Sequence, residues 1–186
     1  LKYNLRLSTQ KIIPVENNAD LRYNYIFKAA DDLYLFCTKQ GLYFSESIAA
    51  PVLRKISNKF PELKFLDSAI ILCGVVINEN EILFGLRSSV SGDLVRWNRS
   101  KRVMERFIHR PNMYSLDDFT VNFIAPANDE KFYICTNGGL YYFDNRSSAC
   151  SPFLLPGKGE LNYPQVNAIF ADKNTLWIGT YGGGLN

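Results

Sequence analysis

Few residues in this chain are of types that could carry covalent or metal chemistry. The one histidine, His109, lies in Arg106-Phe107-Ile108-His109-Arg110-Pro111. A Ser-His-Asp or Cys-His site would need it as the base, and a single histidine excludes a His-rich metal site. Between two arginines and a proline, it reads as a turn residue following a strand. It also lacks the helical context and acidic neighbour of a phospho-accepting histidine. The four cysteines, Cys37, Cys73, Cys135 and Cys150, form no C-x-x-C pair, so zinc and thioredoxin-like sites are not expected. Cys37, Cys73 and Cys135 sit in apolar runs (Leu-Phe-Cys-Thr, Ile-Leu-Cys-Gly, Tyr-Ile-Cys-Thr), which predicts small buried thiols rather than disulfides. The acids Asp31, Asp32, Asp117, Asp118, Asp129 and Asp172 fall in polar turns and not in the paired arrangement a lyase or glycosidase would need. No catalysis, no metal and no cofactor is expected of this chain.

The elements that hold these residues follow from composition and pattern. A length of 186 residues allows one domain or a large part of one. The net charge of +3 is too slight to suggest a nucleic-acid partner, and 47% apolar with 21% charged residues is a globular composition. The longest apolar run, Ala69 to Ile77, is far shorter than the ~20 residues that cross a bilayer, so no membrane contact is expected of this segment. No cationic and apolar leader opens the chain, which begins at Leu1 without a methionine; an excised or processed segment is expected.

The chain repeats itself. A strand-like run, a Thr, a short Gly-containing turn, then Leu and aromatics occur as Leu35-Phe36-Cys37-Thr38-Lys39-Gln40-Gly41-Leu42-Tyr43-Phe44 and again as Tyr133-Ile134-Cys135-Thr136-Asn137-Gly138-Gly139-Leu140-Tyr141-Tyr142-Phe143-Asp144. The last copy is Trp177-Ile178-Gly179-Thr180-Tyr181-Gly182-Gly183-Gly184-Leu185-Asn186, and a diverged one joins Leu83-Phe84-Gly85-Leu86 to Gly92-Asp93-Leu94. The leucines after the turns, with Leu1 in the same phase, recur at intervals of 41, 52, 46 and 45 residues. The repeats therefore run approximately 1–41, 42–93, 94–139 and 140–186. Upstream of each turn lies another β-prone run and an Asn/Asp turn, a hairpin pattern, because Asn and Asp tolerate left-handed turn positions. Four strands per repeat of about 46 residues predict an all-β fold of four tandem four-stranded antiparallel blades, a β-propeller. Residues 102–108 read as strand or helix, and 51–66 as a short helix ended by Pro61 or an irregular crossover.

Residues 166–186, Val166-Asn167-Ala168-Ile169-Phe170-Ala171-Asp172-Lys173-Asn174-Thr175-Leu176-Trp177-Ile178-Gly179-Thr180-Tyr181-Gly182-Gly183-Gly184-Leu185-Asn186, closely resemble the two-component regulator propeller repeat. The third repeat departs from it by Cys135 for Gly and Tyr133 for Trp, and the first two depart further. The resemblance implies a periplasmic ligand-sensing region of a hybrid two-component sensor kinase of Bacteroides-type bacteria, an inner-membrane protein. In that family seven-bladed propellers precede a β-sandwich, a membrane span, a kinase, a receiver and a DNA-binding module, and oligosaccharides are the signal. On that basis this chain is expected to be an incomplete segment of a seven-bladed propeller, the alternative being an unusual four-bladed closure. Its end blades would meet the remaining blades or a second copy.

The Thr–Gly turns recur once per blade and so project from one face, where variable residues could write specificity. These are Lys39 and Gln40, Arg87 with Ser88 and Ser89, Asn137, and Tyr181. Cations, amides and a ring suit a sugar, whose hydroxyls take forked hydrogen bonds and whose apolar face stacks. Trp177, with Tyr133 and Leu35 at the same repeat position, is expected to pack between blades. A protein–protein interaction scaffold is the alternative use of the same architecture.

Overall fold

The computed structural model describes residues 2–4, 9–11, 21–87, 93–107, 120–156, 160–172 and 175–186; at 2–4, 9–11 and 93 it describes the backbone alone. His109, Ser88, Ser89, Asp117 and Asp118 lie outside the described residues.

Short β-prone runs joined by tight polar turns pair with their sequence neighbours, so each blade is an antiparallel meander. Blade 1 contains β3 (Tyr23–Ala30), β4 (Leu33–Thr38), β5 (Gly41–Ser45) and β6 (Arg54–Lys55), and β1 (Lys2–Asn4) and β2 (Thr9–Lys11) form a separate pair before it. Blade 2 is β7 (Ile70–Asn78), β8 (Glu81–Arg87), β9 (Asp93–Asn98) and β10 (Val103–Phe107). Blade 3 is β11 (Val121–Pro126), β12 (Lys131–Thr136), β13 (Gly139–Asp144) and β14 (Ala149–Leu154). Blade 4 is three-stranded: β15 (Val166–Asp172), β16 (Thr175–Thr180) and β17 (Gly184–Leu185). The first strands β3, β7, β11 and β15 lie side by side in that order, which gives a four-bladed propeller arrangement. The second, third and fourth repeats therefore each supply the last two strands of one blade and the first two of the next, whereas the first supplies β3 and β4 after the separate β1–β2 pair.

The ambiguous stretches take definite forms. Residues 103–107 are strand. Residues 56–58 and 61–67 are two 3-10 turns, and Pro61 opens the second one instead of ending a helix. A proline fits a first helical position, where its missing N–H costs nothing.

The core lies between the sheets, because each blade is apolar on both faces. Leu35, Cys37, Leu42 and Phe44 of blade 1 meet Ile71, Phe84, Val95 and Trp97 of blade 2. Cys73, Leu83 and Leu94 of blade 2 meet Val121, Ile134, Tyr141 and Phe143 of blade 3. Cys135 and Leu140 of blade 3 meet Val166, Ile169 and Ile178 of blade 4. Leu63 and Leu66 of the second 3-10 turn close the first of these layers, where Phe60 packs edge-on against Trp97 at 4.6 Å. Blades approach closely enough at Gly85 that a Cβ there would lie 2.5 Å from Val121 Cγ1.

The cysteines are free thiols in these layers, as the sequence led one to expect. Burial pushes Cys135 and Cys150 up to about 12 and raises Cys37 and Cys73 as well. Trp177 departs from expectation. Leu35 is fully buried between blades, but Trp177 is 45% exposed, because it faces the side of blade 4 that no other blade of the described residues covers.

Candidate functional site

The turn between the second and third strands is built the same way in three blades. Thr38 Oγ1 donates to Gly41 O at 2.7 Å and accepts from Gln40 N at 3.0 Å. Thr136 Oγ1 donates to Gly139 O at 2.9 Å and accepts from Gly138 N at 3.1 Å. Thr180 Oγ1 donates to Gly184 O at 3.0 Å and accepts from Gly183 N at 3.1 Å, across a turn one residue longer. The hydroxyl thus satisfies both backbone groups that the end of the ladder leaves open. In blade 2, Leu86 stands at the Thr position opposite Asp93, and a longer stretch of sequence separates the two strands.

Gly41 is required on two counts. Its φ is 123°, and a Cβ would lie 2.2 Å from Asp67 O. Gly139 and Gly184 also take positive φ, the left-handed region that favours glycine, whereas Gly138 and Gly183 do not.

Clamped turns present their remaining side chains outward. Lys39, Gln40, Arg87, Asn137 and Tyr181 are all exposed, Tyr181 by 72%. Antiparallel alternation puts all of them at the same end of their blades, Lys39, Gln40, Asn137 and Tyr181 in turns and Arg87 at the end of β8. The carboxylates of Asp31, Asp32 and Asp129 occupy first-to-second strand turns at the opposite end. These three carboxylates and the candidate ligand residues therefore stand at opposite ends of the blades.

The connections leading into each first strand share the ligand end. Lys39 N donates to Arg22 O at 3.0 Å, and Arg22 N donates to Gln40 Oε1 at 3.1 Å. Tyr181 N donates to Gln165 O at 3.0 Å, the same bond in blade 4. Lys55 Nζ donates to Gln40 O and Asp67 O, each at 2.6 Å, and stands 4.2 Å over the Tyr43 ring. The rim of blade 1 thus carries Lys39, Arg22 and Lys55 together and is basic. On blade 4, Tyr163 lies under the turn, 2.8 Å from where a Gly182 Cβ would stand, and is itself exposed beside Tyr181. Sequence reasoning missed Arg22 and Tyr163, because these connections do not repeat from blade to blade. Only strand alternation places them on this end.

No protein-family model matches the chain, and none of the curated proteins does. Among solved structures, the chain is similar to the extracellular domain of BT4673 from B. thetaiotaomicron, assigned as a hybrid two component system. That match has a TM-score of 0.65 and 16% identity over 92% of this chain and 21% of that one. The extracellular domain of BT3049, assigned likewise and from the same organism, matches with a TM-score of 0.61 and 16% identity over 98% of this chain and 29% of that one. The computationally designed Ika4 protein matches with a TM-score of 0.53 and 10% identity over 96% of both chains. The chain spans between a fifth and a third of the length of the two extracellular domains. These likenesses show the propeller fold.

Proposed function

We propose that this chain is a ligand-binding propeller portion of an extracytoplasmic sensor of the hybrid two-component type, acting by binding and without chemistry of its own. The observation that carries the reading is the Thr-clamped turn. A rigid, repeated frame holds Lys39, Gln40, Asn137 and Tyr181 outward at one end, with Arg87 at the corresponding place on blade 2. The likeness to extracellular domains of such systems supports the same reading. The ligand is an oligosaccharide in the periplasm. Tyr163 and Tyr181 offer ring faces, and the basic rim of blade 1 favours a uronic-acid unit. The relay is a shift in how blades or copies pack, because a ligand moves an equilibrium only by its differential affinity. In the parent receptor, an inner-membrane protein, the open blade faces are covered by further blades or by a second copy.

Calorimetric titration with neutral and uronic-acid oligosaccharides tests this. Binding of an acidic fragment that weakens about tenfold or more in Lys39→Ala and in Tyr181→Ala is the expected result. Absence of heat with every fragment, neutral and acidic, overturns it.

A second reading, a protein–protein interaction scaffold, is favoured by one observation. Phe170, Trp177 and Leu185 are large apolar side chains exposed together on blade 4. It predicts a partner that competes for that face and leaves the turn rim free.

A further inference from the structure

All four first strands carry a β-bulge at the same place. The register skips one residue between Tyr23 and Tyr25, Ile71 and Cys73, Val121 and Phe123, and Val166 and Ala168. The bulged residues are Asn24, Leu72, Asn122 and Asn167. Two of the asparagines reach the next blade: Asn24 Nδ2 donates to Ile71 O at 2.7 Å, and Asn122 Nδ2 donates to Val166 O at 2.9 Å. In both cases the acceptor is the carbonyl just before the next blade's own bulge. The side chain therefore acts as a clasp that sets the height of one blade against the next.

Asn167 holds the same position on blade 4, on a face that no other blade of the described residues covers. It is exposed, and its Oδ1 accepts from Gln165 Nε2 at 3.2 Å. Around it the face shows apolar side chains whose counterparts are covered elsewhere. Leu185 is exposed where Leu42 and Leu140 are buried, and Trp177 where Leu35 and Leu83 are buried; Phe170 beside them is 65% exposed. The complementary face is on blade 1. Tyr23 is exposed where Ile71, Val121 and Val166 are buried, and Ile26 is 46% exposed where Ile124 and Ile169 are buried. Both halves of a blade–blade joint are thus present and exposed among the described residues, and no buried cluster of theirs joins the two faces.

We propose that blade 4 of one copy docks on blade 1 of a second copy, head to tail, continuing the blade–blade interface already made three times within the chain. Asn167 Nδ2 donates to the Tyr23 carbonyl, and Phe170 and Trp177 cover Ile26. The proposal rests on the second-copy reading given above and adds the partner face, the polarity and the register. Such a contact is heterologous, so the two faces differ and one polar clasp fixes the alignment.

The test mixes two differently tagged forms of the whole chain, Asn167→Cys and Tyr23→Cys, under mild oxidation, alongside sedimentation of the unmodified chain. A disulfide-linked heterodimer is expected, with association weakened about tenfold or more by Phe170→Glu. Asn167→Asp, which sets a carboxylate against a carbonyl, is expected to weaken it as well. A chain that remains monomeric at high micromolar concentration overturns the proposal. So does a cross-link confined to single chains in the Asn167→Cys/Tyr23→Cys double variant, which would mean that the ring shuts on itself. Association indifferent to Asn167 and Phe170 overturns this register while leaving self-association standing. The sugar titration above reads the sensor function independently.

Discussion

The rings of Tyr25 and Phe123 meet edge to face, with centroids 6.1 Å apart and planes at 82°, although they belong to blades 1 and 3, with blade 2 between them. Alternate blades touch only if the first strands converge tightly. In a square arrangement, alternate blades stand roughly 1.4 times the ~10 Å sheet spacing apart, and in a heptagon roughly 1.8 times. The contact thus reports the curvature of the array directly.

A double-mutant cycle on Tyr25 and Phe123, by urea denaturation of the single and paired Leu variants, should give a coupling of about 0.5–1.5 kcal/mol, the usual worth of an aromatic pair. In a larger ring the pair opens by about 4 Å, and the coupling falls to nothing.

The turn clamp should be costly to remove where it is buried. Thr136→Val keeps the shape but leaves Gly138 N without its side-chain partner, and a loss of about 1–3 kcal/mol is expected in chemical denaturation. Thr180→Val makes the same deletion in an exposed turn, where water substitutes, and should cost clearly less. Equal costs would show that the hydroxyls do not act through burial.

The two tryptophans should separate sharply. Trp97 is fully buried, packs on Phe60, and donates from Nε1 to Glu62 Oε1 at 3.2 Å; Trp97→Ala should cost about 3–5 kcal/mol. Trp177→Ala should cost under about 1 kcal/mol in a dilute single chain, because nearly half its surface already meets water. The cost of Trp177→Ala should rise under conditions in which blade 4 is covered.

Acid should loosen the joint between blades 2 and 3. Burial pushes Glu81 up, but the amides of Asn78, Asn145 and Asn98 and the Arg96 charge outweigh it and hold the carboxyl below its ordinary value. Asn145 in turn receives Arg96 Nη1 at 2.9 Å, and Arg96 Nη2 reaches Ser148 Oγ at 2.8 Å and Glu105. A carboxylate with a lowered folded pKa gives stability that is complete above its unfolded pKa and lost as pH falls through the folded one. The melting temperature of the unmodified chain should therefore decline from about pH 5 to pH 3, and Glu81→Gln should flatten part of that decline. A parallel decline in both would assign the effect to other carboxylates.

Much of this molecule could be read from its residues. The 46-residue beat, the Thr–Gly turns and the apolar runs are local, and each strand pairs with its sequence neighbour. Meander pairing therefore follows from the order of runs and turns, without any long-range choice. The buried thiols were legible for the same reason, as Cys37, Cys73 and Cys135 sit within unbroken apolar runs. Lys39, Gln40, Asn137 and Tyr181 were legible as exposed, because a tight turn with a clamping Thr has nowhere else to send them.

Neighbours across blades were not legible, because they depend on how sheets stack and curve rather than on spacing along the chain. Arg22 joins the rim of Lys39 and Gln40, and Tyr163 that of Tyr181, only through strand alternation in three dimensions. The identity of Trp177 predicted burial, but burial belongs to the position only when another sheet stands beside it. Asn24 and Asn122 look in sequence like ordinary strand-start polar residues. A bulge that turns their amides out of the ladder, toward the neighbouring blade, makes them clasps, and that orientation is decided by the packing of one sheet on the next.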